Sequence, residues 1–248
     1  MATVISQRSV VPELLDSLPV DDPLAIGSRA DLRRINRIMG AASLLARALD
    51  PLLGDSGTVE LVELGAGDGN LLLRVAESRA KDWPQVSLRL LDLQPVVSDI
   101  TLQRYRKLGW RCEVMRADVF DWLAQDEARS GADDGPIVIA NLFLHHFEGE
   151  RLTDLLHGIA ARARAVVCIE PRRSRGALLG SHLLGAIGCN QVTRHDAVVS
   201  VRAGFRGREL TDLWPRDERW RIDEGDAGIF SHRFVAVREE VRAQVASS

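Results

Sequence analysis

Apolar and polar positions along the chain alternate between two periods. Short β-branched and leucine-rich runs at 59–64, 86–91, 111–115, 137–140 and 165–169 read as strands, the first running into a glycine loop and each of the others followed by a polar residue. Between them, segments over 71–75, 97–108, 120–128 and 152–161 read as helices, with a polar loop at 130–135 ahead of the fourth strand. Strands alternating with helices predict a parallel sheet covered on both faces. Beyond residue 170 the beat breaks. A helical segment over 178–187 stops at Gly188, Thr193 with Asp196 reads as a capping box ahead of a helix over 197–203, and a short helix over 209–213 stops at Trp214-Pro215. Strand-like runs at 220–222 and 229–237 are joined by residues 224–228. That link is too short for a crossover helix, so an antiparallel hairpin is predicted.

Upstream of the first strand the pattern is less regular. Pro12, Pro19 and Pro23 break residues 1–27 into an arm with one short amphipathic helix around Leu14, Leu15 and Leu18. A helix is then expected from Ser28, boxed by Asp31, with Leu32, Ile35, Ile38, Ala42, Leu45 and Leu49 on one face and Asp50-Pro51 as its end. Arg33, Arg34, Asn36 and Arg37 on the other face suit either solvent or a lid over a ligand. The expected organisation is an N-terminal helical lid at 1–57, an α/β domain at 58–238 and a polar tail at 239–248.

Composition narrows the function classes. The chain has 248 residues, a formal net charge of −3 and a pI near 6.1, so it lacks the basic footprint of a nucleic-acid binder. No run approaches the ~20 apolar residues of a membrane span. Gln7, Arg8, Pro12 and Glu13 interrupt any signal-peptide pattern, and a cytoplasmic location is expected. Cys112, Cys168 and Cys189 have neither zinc spacing nor a disulfide framework.

The chemistry gathers where the predicted strands end, because ligands of open parallel sheets bind beyond the carboxyl ends of the strands. Those ends carry Glu63 and the loop Gly65-Ala66-Gly67-Asp68-Gly69, then Asp92, Asp118, Asn141 and Glu170. Glycines let a backbone approach a ligand closely, and the helix after them directs unpaired N–H groups at the loop. A dinucleotide fingerprint would place its third glycine at position 70, which is Asn70. Glu63 would repel a pyrophosphate but suits a ligand carrying an amino group and a sulfonium.

With these residues the chain resembles the class I S-adenosylmethionine-dependent methyltransferases, of the small-molecule tailoring type. Their motif E/D-x-G-x-G-x-G matches residues 63–69, and their acid after the second strand matches Asp92. The resemblance spans about residues 28–237. It implies a Rossmann-like seven-stranded, mostly parallel sheet in the order 3-2-1-4-5-7-6 with helices on both faces, strand seven antiparallel, and S-adenosyl-L-methionine as cofactor. It further implies that Glu63, Gly65 and Gly67 face the methionine portion, with Ala66 and Gly69 completing the loop. Asp92 would meet the ribose with Leu93 beside it, Asp118 and Val119 the adenine, and Asn141 and Leu142 would line the methyl-transfer side.

Methyl transfer needs an aligned acceptor and, for a phenolic oxygen, a base that works near neutrality. His145 and His146 follow the fourth strand, and His146 is the preferred base; His195 beside Asp196 is a further candidate. Phe143, Phe147, Phe205, Trp214 and Trp220 offer aromatic lining or core, and Arg172, Arg173 and Arg175 either an anion grip or a solvated run. No acidic metal cluster or ligand spacing occurs, and the N/D-P-P-Y/F signature of amino-methyltransferases is absent. The expectation is metal-independent O-methylation of a small phenolic or polyketide-like molecule of secondary metabolism, by a monomer or homodimer. C-methylation of a quinone-like or polyketide ring, and a non-catalytic cofactor-binding protein of the same fold, remain alternatives.

Overall fold

The computed structural model describes residues 5–53, 57–125 and 135–239. The expected end of the 120–128 helix, most of the polar loop after it and the tail from residue 240 lie outside the described residues. Seven strands form one sheet in the order β3-β2-β1-β4-β5-β7-β6. They are β1 (Thr58–Leu64), β2 (Gln85–Asp92), β3 (Arg111–Arg116), β4 (Ile137–Asn141), β5 (Ala165–Pro171), β6 (Trp220–Ala227) and β7 (Ser231–Arg238). The first five pair in parallel, and β7 runs antiparallel to both β5 and β6.

The period-two pattern of the strands sorts side chains into two cores. Val59 and Leu61 of β1 pack into one layer with α3 (Ala41–Leu49), α4 (Asn70–Arg79) and α5 (Asp99–Lys107). Val62 and Leu64 face the other, with α6 (Val119–Ala124), α7 (Gly149–Arg162) and α10 (Glu209–Leu213). Leu61, Val62 and Leu64 are fully buried, and each such side chain contributes about 1.5–3 kcal/mol of apolar burial. Phe205, Trp214 and Trp220 belong to the second core, where Trp214 lies 5.1 Å from Trp220 and from Phe234.

Several local expectations change. The helix expected from Ser28 to Leu49 is two helices, α2 (Pro23–Ile38) and α3, separated by Gly40 at φ +67°. Asp22 caps α2 by accepting from Leu24 N, and Pro23 at the first helical position fixes the start upstream of Ser28. Ser28 is therefore a buried mid-helix residue that meets Thr193 at 3.0 Å. Asn190 rather than Thr193 caps α9 (Gln191–Ala203), so Asp196 lies inside the helix. The segment 178–187 resolves into α8 (Arg175–His182) and a 3-10 turn at Leu183–Ile187 that ends at Gly188. Residues 224–227 belong to β6, and the hairpin turns instead over 228–230. Among the described residues no helix is long and apolar enough to cross a membrane.

Candidate active site

The strand order reverses between β1 and β4, and the glycine loop leaves β1 at that point. Gly65, Gly67 and Gly69 all have positive φ, at +65°, +54° and +66°. A Cβ at Gly65 would overlap the Phe143 ring, and one at Gly69 would come within 2.9 Å of Leu90. At Gly67 a Cβ would meet open space, so the loop presents bare backbone there. Asp92 fixes this backbone by accepting from Gly67 N and Gln94 N, both at 2.8 Å. Ala66 N bonds Leu91 O, and Tyr105 donates its hydroxyl to Gly69 O. Arg33 of α2 pairs with Asp68 at 2.8 Å, which sets the polar face of α2 against the loop.

Glu63 is the unusual member. Its side chain is buried, and Oε2 has no hydrogen-bond partner among the described residues. Burial first, then the charges of Asp68 and Asp92, push its carboxyl up to about 8. A buried acid without a partner is costly in a folded protein, and a cationic group that pairs with it relieves that cost. The buried Oδ1 of Asn141 likewise lacks a partner among the described residues. Glu63, the open backbone at Gly67 and Asp92 together fit a ligand with an ammonium group and hydroxyls.

Leu93, after Asp92, is 62% exposed and offers an apolar face at the end of β2. Asp118 caps α6 by accepting from Phe120 N at 2.7 Å, and the Val119 side chain is in the core, so this stretch has only its backbone and the second carboxylate oxygen to offer a ligand.

The chain after β4 is held by one acid. Leu142 takes φ +53°, the left-handed conformation, which strains a residue with a branched side chain. Glu170 at the end of β5 stabilises the turn: its Oε1 accepts from Phe143 N at 3.0 Å and Leu144 N at 2.9 Å, and its Oε2 from His145 N at 3.4 Å. The same Oε2 lies 2.9 Å from His145 Nδ1. The other ring nitrogen of His145 meets Glu13 Oε1 at 3.2 Å, and Ser200 Oγ also donates to Glu13. Burial opposes a charge on His145, but the hydrogen bonds and charges of Glu13 and Glu170 outweigh it and raise the imidazole to about 9.

His146 lies beside it, ring centroids 4.3 Å apart, with Nδ1 3.4 Å from Asp16 Oδ2. Burial and then the charge of His145 hold His146 below its ordinary value. Two adjacent histidines are thus driven to opposite protonation states. Ligating atoms of Glu13, His145 and His146 lie within 4.8 Å of one another. His195 is about half exposed on α9 and bonds Asp196 at 2.9 Å; it does not join this group. Asp196 instead caps the arm helix α1 (Leu14–Ser17), accepting from Leu14 N and Leu15 N.

Glu13 and Asp16 were not legible as site residues, because each meets a partner more than a hundred positions away.

No protein-family model matches the chain, and no curated protein matches its sequence. Solved structures do match. The plantazolicin methyltransferase BpumL in complex with SAH aligns at a TM-score of 0.59 with 13% identity, over 89% of this chain and 92% of that one. An O-methyltransferase family protein from Burkholderia thailandensis aligns at 0.62 with 15% identity, over 97% of this chain and 68% of that one. The chain has the class I methyltransferase fold. The mitomycin 7-O-methyltransferase MmcR shares this class I fold at 0.51 and 21% identity, over 91% of this chain and 60% of its own.

Proposed function

We propose that this chain is an S-adenosyl-L-methionine-dependent methyltransferase that methylates an oxygen of a small phenolic or polyketide-like molecule without a metal. The observation that carries the reading is Glu63, a buried acid at the head of an open glycine loop with one oxygen that has no partner among the described residues. Glu63 would hold the amino group, the Gly65–Gly67 backbone the methionine portion, Asp92 the ribose, and the stretch at Asp118 and Val119 the adenine. When bound, the cofactor supplies an electrophilic methyl group.

His146 is the proposed base. It is the neutral member of the pair, one-quarter exposed, and Asp16 orients its Nδ1 while Nε2 is left to accept a proton. His145 acts on the loop rather than on the acceptor, since both its ring nitrogens are engaged by carboxylates. That engagement also supports a metal-free reaction, because no lone pair of His145 is left to ligate. Phe143 and Phe147, in edge contact at 5.2 Å, offer an aromatic wall to a flat acceptor. The proteins of similar fold include O-methyltransferases, which supports the choice of oxygen over carbon.

The test is His146→Ala assayed with labelled cofactor against a panel of phenols, hydroxyquinones and pyrones. Turnover should fall roughly 10²- to 10⁴-fold with affinity for S-adenosylhomocysteine unchanged. Full turnover in the variant removes His146 as base, and absence of S-adenosylhomocysteine binding by the native chain removes the whole reading.

A further inference from the structure

The end of β5 and the start of α8 enclose a second feature, separate from the glycine loop and the histidine pair. A cavity of about 460 Å³ is lined by Arg172, Arg173, Ser174, Arg175, Arg206 and Asp226, among others. Four arginines line it, Arg172 and Arg173 just after β5, Arg175 at the start of α8 and Arg206 in the loop before α10. Two are partly spent: Arg172 pairs with Asp226 at 2.5 Å and donates to Gly228 O, and Arg173 pairs with Glu209 and donates to Gly204 O. Arg175 and Arg206 are exposed, and neither side chain has a hydrogen-bond or ion-pair partner among the described residues. Counting the two acids against the four arginines leaves a local charge of about +2.

Two further observations point to a ligand. Arg173 is 3% exposed, yet its Nη1 makes no hydrogen bond among the described residues. A buried guanidinium N–H without an acceptor is costly, and a bound oxyanion supplies one. At the start of α8, Ser174 Oγ accepts only the amide of Ala177, so the amides of Arg175 and Gly176 end the helix with no partner among the described residues.

We propose that this cavity is a phosphoryl-binding site. A phosphate carries about −1.5 to −2 charges at neutral pH and three strong acceptor oxygens, which matches the net charge and the lining arginine donors better than a singly charged planar carboxylate does. The phosphoryl group comes either as free phosphate or as a substituent on a small aromatic molecule reaching toward the β4 loop, since Glu170 of that site lies only two positions before Arg172 on the same strand end.

The test is calorimetric titration of the full chain with inorganic phosphate and with phenyl phosphate, in native and variant forms. Arg175→Ala/Arg206→Ala alters exposed side chains and should leave the melting temperature in place while weakening binding about tenfold or more. Asp226→Asn releases Arg172 and should tighten binding. Phenyl phosphate binding more tightly than phosphate marks a substituent on an aromatic ligand; equal affinity marks free phosphate. No binding of either probe, or binding that the arginine pair and Asp226→Asn leave unchanged, overturns the proposal. S-adenosylhomocysteine binding is read separately on the same samples, so methyl transfer and anion binding fail independently.

Discussion

Glu63 makes the proposed cofactor site testable through pH. Its carboxyl titrates near 8 in the free protein, so at pH 7 about nine in ten molecules hold it neutral, and ionising it costs about 1.4 kcal/mol. Pairing with the ammonium of the ligand requires the ionised form. Below pH 8 the free partners carry two protons, one on Glu63 and one on the ligand amine, and the complex carries one. Affinity for S-adenosylhomocysteine should therefore rise roughly tenfold per pH unit from pH 6 to about 8. An α-amino group loses its proton near ~8, so above that pH the complex must take a proton up and affinity falls again. The profile is a bell centred near pH 8.

Glu63→Gln removes the ionisation and with it the rising limb, leaving a weaker and flatter profile. Calorimetry of both proteins from pH 6 to 9 reads it directly. A native profile flat over pH 6–8, or a rising limb that survives in Glu63→Gln, refutes the assignment of Glu63 to the amine. The same substitution has a stability signature. Because folding raises this carboxyl from 4.5 to about 8, its contribution is fully present below pH 4.5 and is lost as pH rises through 8. Glu63→Gln should then gain stability over the native chain across that interval, by at most about 5 kcal/mol, in urea denaturation.

Three other outcomes are expected. Glu170→Ala strips the acceptor from three backbone amides and from the buried His145 cation, so it should lose about 3–5 kcal/mol in urea denaturation; a loss under 1 kcal/mol would mean that the β4 loop holds itself. Gly65→Ala and Gly67→Ala both meet positive φ, at a cost of about 1–2 kcal/mol, but only the first collides with Phe143. Gly65→Ala should therefore lower the melting temperature more, whereas Gly67→Ala should mainly weaken S-adenosylhomocysteine binding, and the reverse order would contradict the open face at Gly67. Dialysis against a chelator should leave turnover unchanged; lost activity restored by a divalent ion would assign Glu13, His145 and His146 to a metal.

The sheet was legible because its signal is local. Period-two runs, the glycine spacing and the polar strand ends all lie within a few residues of what they predict, and the order of the strands in space is the one that the family resemblance implies. Capping was less legible because caps compete. Asp22-Pro23 displaced Ser28, and Asn190 displaced Thr193, each by offering a better start to the same helix. Once freed from that role, Asp196 serves α1, 182 positions earlier in the chain. The arm is the extreme case. Arg8 reaches His145 O and lies over the Phe205 ring, and Glu13 reaches His145 and Ser200, yet nothing near those residues in sequence announces partners so far away.

The arm also sets the protonation of the histidine pair, which yields a last prediction. His145 rises to about 9 because Glu13 of the arm and Glu170 of β5 enclose it, and its charge is in turn one cause of the low value at His146. The charged neighbour thus keeps the proposed base free of a proton. His145→Gln retains an amide that can donate to Glu170 but carries no charge, so His146 should titrate higher and the acid limb of the turnover–pH profile should move to higher pH. Burial would still oppose a charge on His146, while the carboxylates of Glu13, Asp16 and Glu170 favour one. An acid limb that stays in place while the variant remains folded and binds S-adenosylhomocysteine would mean that burial alone sets His146, and that the arm contributes structure but no charge to the chemistry.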